Sequence, residues 1–180
     1  MKQTIAIDSN ALTYLIEAID PDYDPSTDKS DVVLERIAMI RSYLYCDCFF
    51  RVLPTVSYEY SRISKEEWRL THERVSNVLF LDDSSELDED MIRNRAKDFF
   101  IHHPKKSDCR VAAEAEAAGV TFLLTLDKDL IDRLGTIVKG LSIMKPTDFL
   151  AKLGIGPATK PIRLPTPSNP LYSKNWWRLD

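Results

Sequence analysis

Thr4-Ile5-Ala6-Ile7-Asp8-Ser9-Asn10 decides the fold: a short apolar run meets an acid, a serine and an amide, and a helical apolar pattern begins at Ala11-Leu12. A short apolar segment bounded by a turn signal reads as a buried strand, here delivering the Asp8 carboxylate to its C-terminal end. The arrangement returns late in the chain, where Thr121-Phe122-Leu123-Leu124-Thr125 leads through Leu126 to Asp127 and a helix-like segment from Lys128 to Leu134. Ligands of an open parallel sheet sit in the crevice beyond the carboxyl ends of its strands. The two acids are therefore expected to face one site.

The chain between them alternates in the same style. Val33, Leu34, Ile37, Ile40 and Leu44 recur at helical spacing over 31–45, and Phe49 to Val56 reads as a short strand. Ser57 is expected to cap a helix that carries Tyr58 and Glu59. Two amphipathic helices are predicted over 65–79 and 88–100, separated by an acidic turn at Asp82-Asp83-Ser84-Ser85. His102-His103-Pro104-Lys105-Lys106 then breaks the pattern, and Ser107 is expected to cap an alanine-rich helix over 108–118, which Gly119 ends. Strands over 121–126 and 141–144 flank the helix over 128–134, and a short helix over 146–153 follows. This alternation predicts an α/β domain with a largely parallel sheet.

Bulk composition narrows the function. With 180 residues, 44% hydrophobic and 29% charged, the chain is long enough to bury a core as one soluble domain. No apolar run approaches the roughly 20 residues of a membrane helix, and no signal-peptide pattern opens the chain, so a cytoplasmic protein without a membrane partner is expected. Cys46, Cys48 and Cys109 form neither a CxxC pair nor an even disulfide framework. The net charge of −4 argues on its face against nucleic acid, but divalent cations bound to an acidic cluster invert the local field.

Two segments stand apart from the α/β pattern. Residues 20–31, rich in Pro, Asp and Ser, read as a surface loop; they lack the glycine and terminal glutamate of a calcium loop. The predicted division is a domain over 1–153 and a proline-rich extension over 154–180, whose Trp176-Trp177 pair is expected to pack against the domain or a partner chain.

Four acids fall at ends of elements expected at one sheet edge: Asp8, Glu59, Asp108 and Asp127. Hard oxygen ligands in that number suit Mg²⁺ or Mn²⁺, and such ions polarise a phosphodiester and activate water. Asp8, Asp108 and Asp127 equally suit helix N-termini. Glu59, between Tyr58 and Tyr60, caps nothing.

In these four places the chain resembles the PIN-domain ribonucleases, a family that includes toxins of toxin–antitoxin pairs. The matching pieces are Ile5-Ala6-Ile7-Asp8-Ser9-Asn10-Ala11-Leu12, Pro54-Thr55-Val56-Ser57-Tyr58-Glu59, Ser107-Asp108-Cys109-Arg110-Val111-Ala112-Ala113 and Leu123-Leu124-Thr125-Leu126-Asp127-Lys128-Asp129-Leu130, in the family's order. The resemblance implies a three-layer α/β/α sandwich with a small, mostly parallel central sheet. It also implies a Mg²⁺- or Mn²⁺-dependent endoribonuclease acting on single-stranded RNA, with Asp8, Glu59, Asp108 and Asp127 as metal-binding catalytic acids. Asn10 falls where the family often has a polar residue. Thr125, two residues before Asp127, is expected to orient a carboxylate, and Asp129 is either an outer ligand or a first-turn acid. Lys105, Lys106 and Arg110 are candidate RNA contacts. An antitoxin protein and a homodimer are the partners implied. A catalytically silent RNA- or protein-binding scaffold is the alternative. A haloacid-dehalogenase-type phosphatase fits less well, because Asn10 stands where its second acid is needed.

Overall fold

The structure, a computed structural model, describes residues 3–20, 22–80, 87–156 and 158–179. The acidic turn at 82–85 lies outside the described residues.

Four strands form one sheet: β1 (Gln3–Ile7), β2 (Cys48–Val52), β3 (Phe122–Leu124) and β4 (Ser142–Met144), all parallel in the order β2-β1-β3-β4. Central parallel strands are covered on both faces and so read as continuous apolar runs. Ile5, Ala6 and Ile7 of β1 and Leu123 and Leu124 of β3 are accordingly sealed from solvent. The helices are α1 (Ser9–Ala18), α2 (Ser30–Tyr45), α3 (Pro54–Ser61), α4 (Glu66–Leu79), α5 (Glu89–Phe100), α6 (Lys106–Ala117), α7 (Lys128–Leu134) and α8 (Pro146–Lys152). They complete a three-layer α/β/α sandwich in which α2 packs on α1 and α8, and α6 packs on α5 and α3. No helix among the described residues is long and apolar enough to cross a membrane.

Three local expectations are corrected. The second strand stops at Val52, because Pro54 starts a helix with Leu53 as N-cap; a proline is tolerated at the first helical position, where its missing N–H has no partner to lose. Ser57 therefore lies inside α3, its amide donating to the Leu53 carbonyl at 3.0 Å. Likewise α6 begins at Lys106 behind Lys105, and Ser107 caps nothing: its hydroxyl lies 3.3 Å from Asp108 Oδ1. Residues 125 and 126 fall beyond the end of β3.

The acids of the 20–31 loop serve local structure. Asp24 accepts the Ser26 amide at the head of a 3₁₀ turn over Pro25–Thr27, and Arg36 of α2 pairs with both Glu17 and Asp28. The Arg36 guanidinium also lies 5.0 Å from the Tyr23 ring centre.

The C-terminal segment is largely irregular yet docked. Ile162 and Arg163 amides both donate to the Leu44 carbonyl, and the Arg163 guanidinium reaches the carbonyls of Tyr43, Cys46 and Cys48. Trp177 is 2% exposed, and its indole N–H donates to Leu171 at 3.0 Å. Trp176 meets Tyr23 edge-on at 5.4 Å. Removing a fully buried tryptophan costs about 3–5 kcal/mol. Trp177→Ala is thus expected to lower the urea unfolding midpoint by a corresponding amount, read by circular dichroism; an unchanged midpoint would show that the tail adds nothing to the fold.

Candidate active site

Register fixes what stands at the C-terminal edge of the sheet. Ile7 pairs with both Val52 and Leu124, so β1, β2 and β3 end level with one another. The next residues are Asp8, Leu53 and Thr125. The Asp8 amide closes this edge by donating to the Leu124 carbonyl at 2.9 Å.

Asp8 caps α1 through Oδ1, which accepts the Ser9 amide at 2.8 Å, while Oδ2 accepts the Thr125 hydroxyl at 2.8 Å. It is 8% exposed. Burial pushes its pKa up to about 6; the bonds from Thr125 and Ser9 work against that rise, and the negative charges of Asp108 and Glu59 add to it.

Thr125 is the junction. Fully buried, it gives its proton to Asp8 and accepts the Asp127 amide at 3.0 Å and the Asn10 side-chain amide at 3.4 Å. Asn10 Oδ1 in turn accepts the Leu126 amide at 3.0 Å. Glu59 joins through Ser9, whose hydroxyl donates to Glu59 Oε2 while its amide serves Asp8.

Asp108 and Asp127 meet around a lysine. Lys105 Nζ lies 2.6 Å from Asp127 Oδ2 and 3.5 Å from Asp108 Oδ2. Burial works to raise the Asp127 pKa, but the Lys105 ammonium and the Leu130 and Asp129 amides hold it below the usual carboxylate value. The bond to Asp127, with Asp108 adding its charge, raises the Lys105 pKa. From the other side His103, 1% exposed, donates from Nε2 to Asp108 Oδ2 at 2.8 Å; its buried Nδ1 finds no partner among the described residues.

All four acids singled out in the sequence thus belong to one chain of contacts, which runs from Glu59 through Ser9, Asp8 and Thr125 to the Asp127 backbone amide, and from the Asp127 carboxylate through Lys105 to Asp108 and His103. Among the described residues no group of three or more His, Cys, Asp or Glu side chains stands ready to hold a metal ion. The cation between Asp108 and Asp127 is the Lys105 ammonium.

The other candidates are placed as follows. Asp129 is exposed in the first turn of α7. Arg110 pairs with Glu89 at 2.7 Å and Glu114 at 3.1 Å, and Lys106 lies over the Phe100 ring. Lys106 and Arg110 also line an open cleft of about 860 Å³ with Tyr58, Glu59, Arg62 and Glu114. Tyr58 is 61% exposed there, with the Arg62 guanidinium 5.4 Å from its ring centre. His72 is buried between Thr13 and the Trp68 carbonyl and lines a small pocket with Ser9 and Glu59.

The sequence reading did not assign Ser9, His103 or Glu114 a part in this arrangement. Glu114 is fully buried and takes both the amide and the hydroxyl of Thr55, at 2.9 and 2.7 Å, so it caps α3. Thr55 and Glu59 are four apart on one helix face, which makes this cap the anchor of the Glu59 helix. Its signal was available: a lone acid inside Val111-Ala112-Ala113-Glu114-Ala115. No protein-family model matches this chain, and comparison with curated proteins finds no match.

The raised pKa of Asp8 has a sign that can be checked. Because the folded form holds the proton more tightly than the unfolded one, this group favours folding below pH 3.8, and that contribution is lost as pH rises through about 6. Asp8→Asn is therefore expected to stabilise the metal-free protein at pH 7.5 by about 3 kcal/mol, with the gain shrinking to nothing near pH 4. Thermal unfolding in EDTA across that range measures it, and a gain independent of pH would contradict the account.

Proposed function

We propose that this protein is a Mg²⁺- or Mn²⁺-dependent endoribonuclease and that Asp8, Glu59, Asp108 and Asp127 hold its catalytic cation or cations. The observation that carries this reading is the convergence of four acids from separate elements into one contact network at the carboxyl edge of a parallel sheet, with an ammonium between two of them. The donor set fits the ions: every acid offers hard carboxylate oxygen, and Lys105 already stands in as a positive charge. The resemblance to PIN-domain ribonucleases supports the same four residues.

A divalent cation bound there would supply charge neutralisation for a phosphodiester and a lowered pKa for attacking water. The chain's own residues hold the ligands in place. Thr125 and Ser9 fix the Asp8 oxygens, His103 fixes Asp108, and the Leu130 amide fixes Asp127. Such supporting partners typically carry 10- to 100-fold in metal affinity or activity. The adjoining cleft suits a single strand: Tyr58 offers an aromatic face for a base, and Arg62 and Lys106 offer charge for the backbone. The resemblance further supports a toxin role, with an antitoxin protein and a second copy of the chain as partners.

Cleavage of a fluorescently labelled single-stranded RNA tests this directly. Activity with Mg²⁺ or Mn²⁺ is expected to vanish in EDTA and to fall about 100-fold or more in Asp8→Ala and Asp108→Ala, at least the loss seen on removing supporting partners. Cleavage indifferent to chelation and to both substitutions would sink the proposal. Tight RNA binding without metal binding or cleavage would favour a silent scaffold. For the cleft, Tyr58→Ala is expected to raise KM about tenfold while leaving kcat near its starting value, as steady-state kinetics on the same RNA would show.

A further inference from the structure

Lys105 occupies an electrostatically awkward place. It is the N-cap of α6, where the partial positive charge of the helix disfavours a cation. Its ammonium nevertheless points across to another element, 2.6 Å from Asp127 Oδ2, with Asp108 Oδ2 at 3.5 Å. Those two carboxylates come from the heads of α6 and α7, and the ammonium lies within reach of both.

The contact is weakly enforced. The Lys105 side chain is 57% exposed, whereas those of Asp108 and Asp127 are 16% and 20% exposed. The two acids also have anchors that do not involve the lysine. His103 grips Asp108 Oδ2, and the Leu130 amide grips Asp127 Oδ1. If the ammonium swings away, the carboxylates stay where they are, and two oxygens are left facing each other with no cation between them. A flexible four-carbon stem ending in a compact charge is well suited to leaving.

We infer that Lys105 is a built-in cationic plug: its ammonium fills the junction of Asp108 and Asp127 in the metal-free protein, and a divalent cation must displace it to enter. Lys105 thereby sets the metal concentration at which the centre fills. The inference rests on the reading of these acids as a metal centre, but it assigns Lys105 a role distinct from an RNA contact. The lysine is a competitor for the acids, and removing it makes the site easier to fill.

Calorimetric titration of the metal-free full chain with Mn²⁺ tests it without any activity measurement. Lys105→Met is expected to bind Mn²⁺ up to about fivefold more tightly than the unaltered chain, the order of what an exposed ion pair contributes. Lys105→Arg is expected to stay within about twofold of it. Lys97→Met removes the same charge from α5 and is expected to change little, which separates local competition from overall charge. Asp127→Asn is expected to lose most of the binding. Equal or weaker Mn²⁺ binding in Lys105→Met overturns the plug and leaves the metal centre standing if Asp127→Asn still loses affinity. If neither the unaltered chain nor Lys105→Met binds Mn²⁺ while circular dichroism shows both folded, the metal centre and the plug fall together.

Discussion

Asp8 is buried at the end of the central strand with two other acids near enough to repel it, and the donors that hold it decide how the strand ends are joined. Its Oδ2 takes the Thr125 hydroxyl, and that oxygen takes the Asp127 amide, so the turn after β1 and the turn after β3 share one side chain. Register puts these turns side by side, and Thr125 makes the junction polar and specific. An apolar residue there would leave Asp8 Oδ2 buried without its donor, at about 1–3 kcal/mol. The neighbouring polar groups depend on this junction, since Asn10 and the Asp127 amide are both placed with respect to it.

A second device recurs in the molecule. Glu114 caps α3 by accepting the amide and hydroxyl of Thr55, and Glu35 caps α8 by accepting the amide and hydroxyl of Thr147, at 3.1 and 2.9 Å. Both helices open with Pro-Thr, at Pro54-Thr55 and Pro146-Thr147, and neither has a side-chain cap from its own N-cap residue. Proline leaves one fewer amide to satisfy, the threonine supplies two donors, and a carboxylate from another helix meets both, close to the positive end of the dipole. Each pair thus acts as a cap and as a tie between elements distant in sequence. The α3 tie bears on function, because it fixes the helix that carries Glu59.

What the sequence disclosed follows from which forces are local. Apolar runs at 4–7 and 121–124 and helical periodicity over 31–45 report burial directly, so the parallel α/β sheet and most of the strand and helix expectations around it are close to the observed elements. Asp8 and Asp127 were legible because each follows an apolar run and opens a helix. The errors lie where a local preference competed with another. Ser57 and Ser107 are good caps in isolation, but Pro54 had already started α3, and α6 began one residue before Ser107. The long-range pairings, Ser9 with Glu59 and Glu114 with Thr55, have no periodic signature. They depend on which turns the sheet brings together, and strand order is what supplies that.

The tail shows how the costs of such an edge are distributed. Its anchors lie on Tyr43, Leu44, Cys46 and Cys48, around the end of α2 and the start of β2. The acids lie beyond Val52, at the other end of that strand. The segment therefore braces the edge of the sheet opposite to the charged one, with Trp177 contributing large apolar burial and Arg163 satisfying three carbonyls left open by the turn. A sheet that gathers one buried and three partly buried carboxylates at one end carries an electrostatic penalty there, and a brace at the far end adds stability without adding a group that would compete for those acids. Among the described residues Lys105 is the cation placed between two of them, and it reaches them on an exposed side chain rather than from the core.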